Sequence, residues 1–162
     1  MPTRIPTRTR TPTKTATTVA LSAHDGVDEG AAESTTYRIV RGGRSANSGN
    51  SRAAVDGDPA TAWVTDSAEA PDRAFVWFDL GRTRSIGEIR WLVSEAVPGV
   101  VMTVEVSLDR KDWVTVATVS DFSPGDWQHV ETEVDGRYVR FTFVNPEGVA
   151  VIGYLAEVQI AP

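Results

Sequence analysis

A chain of 162 residues, 41% hydrophobic and 23% charged, fits one soluble globular domain with a tail. It has no cysteine, which excludes a disulfide scaffold, a zinc–thiolate site and a cysteine nucleophile. The net charge is −6, and outside the basic tail (Arg4, Arg8, Arg10, Lys14) twelve bases stand against 22 acids. That acidic body argues against nucleic acid and against anionic lipid headgroups as partners.

No apolar run is long enough to span a bilayer. The start, Met1-Pro2-Thr3-Arg4, lacks the apolar stretch of a signal peptide, so any signal or anchor is expected outside this sequence. Residues 1–18 are built from Thr, Pro and Arg, which cannot form a core and reads as an extended linker. The rival is a basic nucleic-acid tail, but threonine dominates and the bases are scattered. Residues 19–36 are a polar transition, a short helix or loop, with His24 read as solvated. The chain thus divides into a linker region, 1–36, and a folded domain, 37–162.

Tyr37-Arg38-Ile39-Val40 reads as a first strand, and the Gly/Ser/Asn-rich residues 42–51 as a loop. Next comes Ala53-Ala54-Val55-Asp56-Gly57-Asp58-Pro59-Ala60-Thr61-Ala62-Trp63. Strands follow at 74–80, ended by Gly81, and at 86–93. Residues 101–107 alternate with period two and place Met102, Val104 and Val106 on one face. A turn at 109–112 leads to a strand at 113–119. Residues 127–134 and 137–144 flank Asp135-Gly136, a hairpin signal. The last strand covers 152–160, with Tyr154, Ala156 and Val158 on one side and Gly153 marking a weak point or a close approach. Nothing of similar length shows a 3.6-residue period, and no internal repeat suggests a propeller. The fold class is all-β, an antiparallel sandwich or barrel.

The 53–63 stretch concentrates two carboxylates, a hydroxyl and a turn glycine. Hard cations such as Ca²⁺ take several oxygen ligands, and a reversal at Gly57 can aim Asp56, Asp58, Thr61 and main-chain oxygens inward. A surface Asp-Gly turn with Trp63 as a core plug accounts for the same residues.

The order of features resembles a known family. Ala-x-Asp-Gly-Asp-x-x-Thr-x-Trp at 54–63 is followed by Phe78-Asp79-Leu80-Gly81, Ile86 and Ile89. Then come Val104-Glu105-Val106-Ser107-x-Asp109-x-x-x-Trp113, Gly136-Arg137-Tyr138-Val139-Arg140-Phe141 and Ala156-Glu157-Val158. Together, over roughly residues 37–161, these resemble the coagulation factor 5/8 type C, or discoidin-like, domain. That group overlaps the galactose-binding-like carbohydrate modules of family 32. The resemblance implies a jelly-roll β-sandwich of two antiparallel sheets and a structural Ca²⁺. Carried over, the ion would be lined by Asp56, Asp58, Thr61 and Glu157, with main-chain carbonyls of Ala53 and Ala156. An ion joining an early turn to the last strand binds only the folded state and stabilises it.

Ligands of the family bind at loops on one end of the sandwich, here 65–73, 94–100, 121–127 and 145–151. The arginine and histidine common in galactose binders are absent from 94–100, which places galactose itself in question. Asp66, Glu95, Trp127 and Asn145 are the candidate ligand residues. Each has a plainer reading: Trp127, like Trp77 and Trp91, as core filling, and Asn145-Pro146 as a turn. The apolar run Val97-Pro98-Gly99-Val100-Val101 could contact another domain, the acidic body disfavouring membrane insertion.

No nucleophile elbow, phosphate loop or singled-out carboxylate pair is present, and His129 reads as solvent-facing beside acids. The reading is a non-catalytic extracellular or cell-surface module that binds glycan or polysaccharide. The alternative is a structural or protein-interaction domain on the same scaffold, docking on another domain of the parent protein.

Overall fold

The computed structural model describes residues 35–45, 48–65, 72–144 and 151–162. The expected Thr/Pro linker, the 19–34 part of the transition and His24 lie outside these residues. The strands are β1 (Arg41–Arg44), β2 (Trp63–Val64), β3 (Arg73–Val93), β4 (Val101–Ser107), β5 (Trp113–Val119), β6 (Trp127–Val144) and β7 (Tyr154–Ala161). One 3₁₀ turn, Ser51–Ala54, precedes β2, and the Asn50 side chain caps it by accepting from the Arg52 N–H. All pairings are antiparallel, in the order β2-β7-β3-β6-β4-β5, with β1 on the free side of β3.

Two long strands make this one hydrogen-bonded path into a sandwich. β3 pairs with β6 from Arg73↔Val144 to Asp79↔Tyr138, breaks register, then resumes from Arg84↔Gly136 to Leu92↔Trp127. The first half of β3 carries β1, and the matching half of β6 carries β4. The second half of β3 carries β7, which in turn carries β2. The β3–β6 ribbon therefore bends at residues 80–83 and 136–137 and supplies two strands to each layer.

The layers meet through large side chains. Trp91 of the second layer lies 6.2 Å from Phe141 of the first, and Trp63 of β2 lies 5.6 Å from Phe143. Met102, Val104 and Val106 are fully buried, as their period-two spacing predicts. Burying one such side chain contributes about 1.5–3 kcal/mol.

Several expectations are corrected. Asp135-Gly136 is not a hairpin turn: β6 runs through it, with Asp135 opposite Ser85 and Gly136 opposite Arg84. Glycine is needed because a Cβ there would stand 2.1 Å from Val106 Cγ1 at the bend. β3 likewise does not end at Gly81. The first strand is Arg41–Arg44 rather than 37–40, so the start of the expected 42–51 loop is a strand. A Cβ on Gly43 would lie 2.3 Å from the Trp77 ring, so this composition reflects a ring crossing the backbone, not a loop. Trp77 is half-buried on the outer face rather than in the core, whereas Trp91 is buried. Ile152 and Gly153 precede β7, where a Gly153 Cβ would meet the Trp63 ring at 2.7 Å.

Candidate functional site

Two places hold the described sequence-predicted residues. The first is the acidic turn. Glu157 stands on β7, 5% exposed, and its Oε1 accepts the Gly57 N–H at 2.7 Å across 100 residues of chain. Asp56 Oδ1 accepts the Asp58 N–H at 3.0 Å, an Asx turn that reverses the backbone, and Gly57 takes φ of +82° within it. The Asp58 carboxylate turns outward to accept the Ala60 N–H at 2.9 Å. It is the Asp58 carbonyl, not its side chain, that faces Thr61.

Thr61 Oγ1 is the focus of this cluster. It lies 3.2 Å from the Ala53 carbonyl, 3.1 Å from the Asp58 carbonyl, and 2.8 and 3.1 Å from the two Asp56 oxygens. One hydroxyl proton cannot serve four acceptors. The excess of oxygen over donors is the composition a hard cation requires. The Asp58 N–H and Thr61 hydroxyl hold the Asp56 carboxyl below its ordinary range. Burial, and then the Asp56 charge, push the Glu157 carboxyl up. Ala156 is fully buried on β7 next to Glu157. Among the described residues no three His, Cys, Asp or Glu side chains form a metal cluster; this set has two carboxylates, completed by a hydroxyl and carbonyls.

The second place is one end of the sandwich. β3 starts where β6 ends (Arg73↔Val144) and β4 starts beside it (Val101↔Val144), with the end of β5 alongside (Met102↔Val119). In the second layer Leu92 pairs with Trp127, and Val64 with Tyr154. The two ends coincide, since a Gly153 Cβ would touch the Phe143 ring at 3.2 Å. The described flanks of the four expected loops therefore gather here. The Gly125 N–H donates to the Val93 carbonyl and the Ser94 N–H to the Tyr154 carbonyl, tying two of these loops to neighbouring strands.

Of the ligand candidates, Asp66 and Asn145 lie outside the described residues. Glu95 is exposed. Trp127 is 37% exposed and so is not the core residue its plainer reading implied. Its ring lies 5.3 Å from the Arg90 guanidinium. Arg90 was not among the sequence candidates, because it sits mid-strand, and only the register Arg90↔His129, two residues from Trp127, brings it there. His129 is exposed as expected. The apolar run at 97–101 does not project: Val100 is 2% exposed and Val97 packs on the core.

Two buried carboxylates brace the first layer. Both Glu105 oxygens accept from Arg140, at 2.8 and 2.9 Å, and Oε2 also accepts from Thr142. Asp79 accepts from Arg137 and Arg41 and from the Gly81 N–H. Desolvation pushes both carboxyls up, but these hydrogen bonds and guanidinium charges outweigh it and hold them below the ordinary range.

The described residues thus form an antiparallel β-sandwich whose acidic turn is tied to its last strand. The model of the F5/8 type C domain matches residues 31–158, and the chain belongs to that family. No curated protein matches the chain. Among solved structures it is similar to the CBM32 of AlyQ in complex with 4,5-unsaturated mannuronic acid. That match has 20% identity over 78% of this chain and 97% of that one, with a TM-score of 0.63. It is similar to chitosan-binding module 1 of a chitosanase/glucanase from Paenibacillus sp. IK-5, with 21% identity over 75% and 94% and a TM-score of 0.61. It is also similar to CpGH89CBM32-5 from Clostridium perfringens in complex with GalNAc-beta-1,3-galactose, with 17% identity over 75% and 94% and a TM-score of 0.61. At these identities the likeness is one of fold.

Proposed function

We propose that this domain is a non-catalytic, extracellular carbohydrate-binding module that uses the loop end and holds a structural Ca²⁺ at the acidic turn. The observation that carries the sugar reading is Trp127. Its exposed indole, with the Arg90 guanidinium against it, offers a flat apolar surface beside hydrogen-bond donors at the end where the loops meet. Pyranose rings present an apolar C–H face and an equatorial fringe of hydroxyls, which such a pair suits. Glu95, Asp66 and Asn145 belong to the same loops and would add polar contacts. The family membership and the carbohydrate-binding modules among the similar structures support the class.

The ion would be held by Asp56, Glu157, Thr61 and the carbonyls of Ala53 and Asp58, with Ala156 beside them. Its chemistry there is charge neutralisation: it would relieve the repulsion between the two carboxylates and tie the turn to β7. The partners we propose are a cell-surface or extracellular glycan and, through the linker, the rest of a larger protein. A glycan array followed by titration tests the sugar reading. Saturable binding that is lost in Trp127→Ala supports it. Tight association with another domain of the parent protein, without binding to any glycan, would replace it with the interaction-domain reading.

A further inference from the structure

The outer face of the first layer carries rings where a solvent-facing sheet ordinarily carries polar side chains. Phe75 and Trp77 of β3, Trp113 of β5 and Arg140 of β6 line a shallow groove of about 340 Å³ with Asp109, Arg110 and Lys111 of the β4–β5 turn. The three rings are half-buried. Arg140 forms the floor: held by Glu105, its guanidinium lies 4.0 Å from the Trp113 ring and 5.8 Å from Phe75.

Arg110 forms the wall, and its backbone is the unusual feature. It is the one non-glycine residue with positive φ, 66°, among the described residues. Glycine would adopt that conformation without strain. What glycine lacks is the guanidinium, which lies 4.8 Å from the Trp77 ring and 5.3 Å from Tyr138 and takes part in no salt bridge among the described residues. Strain of this kind persists where a side chain has a task at a site. Asp109, the one acid of the lining, braces the turn: its Oδ1 accepts the N–H groups of Lys111 at 2.8 Å and Asp112 at 3.1 Å, and its single negative charge stands against the positive charges of Arg110 and Lys111. The groove thus presents cations and ring faces on a chain whose net charge is −6.

We propose that this groove is a second ligand site, on the opposite layer from Trp127, that binds an anionic saccharide. The pyranose C–H faces lie on Trp77 and Trp113, and the carboxylates meet Arg110 and Lys111. An acidic peptide fits less well, because peptide recognition on sheets uses backbone groups at a free strand edge. Here the floor is a sheet face: beneath the groove β3, β6 and β4 are each paired on both sides, and the edge strand β5 contributes the Trp113 ring. This site does not depend on the loop-end reading.

The test titrates the full ¹⁵N-labelled chain with trigalacturonate at low salt and follows the indole N–H resonances. Saturable shifts at Trp77 and Trp113 are expected. Arg110→Gly should weaken binding about tenfold or more, the scale of a hydrogen bond to a charged group. The same variant should melt at the wild-type temperature or above it, which separates lost binding from lost fold. The exposed Lys111→Gln should also weaken binding. Equal affinity for the carboxyl-reduced neutral trisaccharide, or equal affinity for hexaglutamate, would overturn the proposal, as would absence of saturable binding. Shifts confined to Trp127 would overturn this site while leaving the loop-end reading standing.

Discussion

Replacing Glu157 by Gln separates an ion site from a mere hydrogen-bonded turn. The side chain is 5% exposed, and its Oε1 accepts the Gly57 N–H, which a glutamine oxygen can also do. The substitution therefore keeps the contact and removes only the charge. Without a metal that charge is unfavourable, because it is desolvated and faces Asp56. In EDTA, Glu157→Gln should melt at or above the wild-type temperature. With Ca²⁺ at a hundred times its Kd, mass action adds about 2.7 kcal/mol to the wild type. Each kcal/mol shifts the melting temperature of a chain this long by roughly 2–4 °C, so the wild type should rise by about 5–11 °C. Glu157→Gln should rise little. Differential scanning calorimetry in EDTA and in excess Ca²⁺ measures all four states. An equal rise in both proteins would refute the assignment of Glu157, and no rise in the wild type would remove the ion.

Glu105→Gln should destabilise by about 3 kcal/mol at neutral pH, because Arg140 would lose its charge partner within the sheet. The folded carboxyl sits below its ordinary value, so its contribution is present above the unfolded pKa and is lost as pH falls through the folded one. Urea unfolding should therefore show the difference between wild type and variant shrinking below roughly pH 4. Gly136→Ala should cost about 1–3 kcal/mol by overpacking against Val106, measured by the same unfolding curves. Trp127→Ala should leave stability within about 1 kcal/mol while abolishing glycan binding by titration, since its ring is 37% exposed.

The sequence by itself determined the all-β class, because strand character rests on local periodicity. The alternation at 101–107 predicts the buried row Met102, Val104, Val106 directly. It also pointed to the acidic turn, since Asp56, Gly57, Asp58 and Thr61 fall within six residues and Asx-turn chemistry is local. What the turn meets is not local. Only the pairing of β2 with β7 brings Glu157 to Gly57, and only the register of β3 on β6 brings Arg90 to Trp127. Asp135-Gly136 and Gly42-Gly43 show the opposite failure: glycine is equally suited to a turn and to a crowded backbone, and the crowding side chains, Val106 and Trp77, come from other strands. Whether a tryptophan fills the core or faces solvent was likewise decided by the fold, because one strand offers both faces and only packing against a second layer chooses between them.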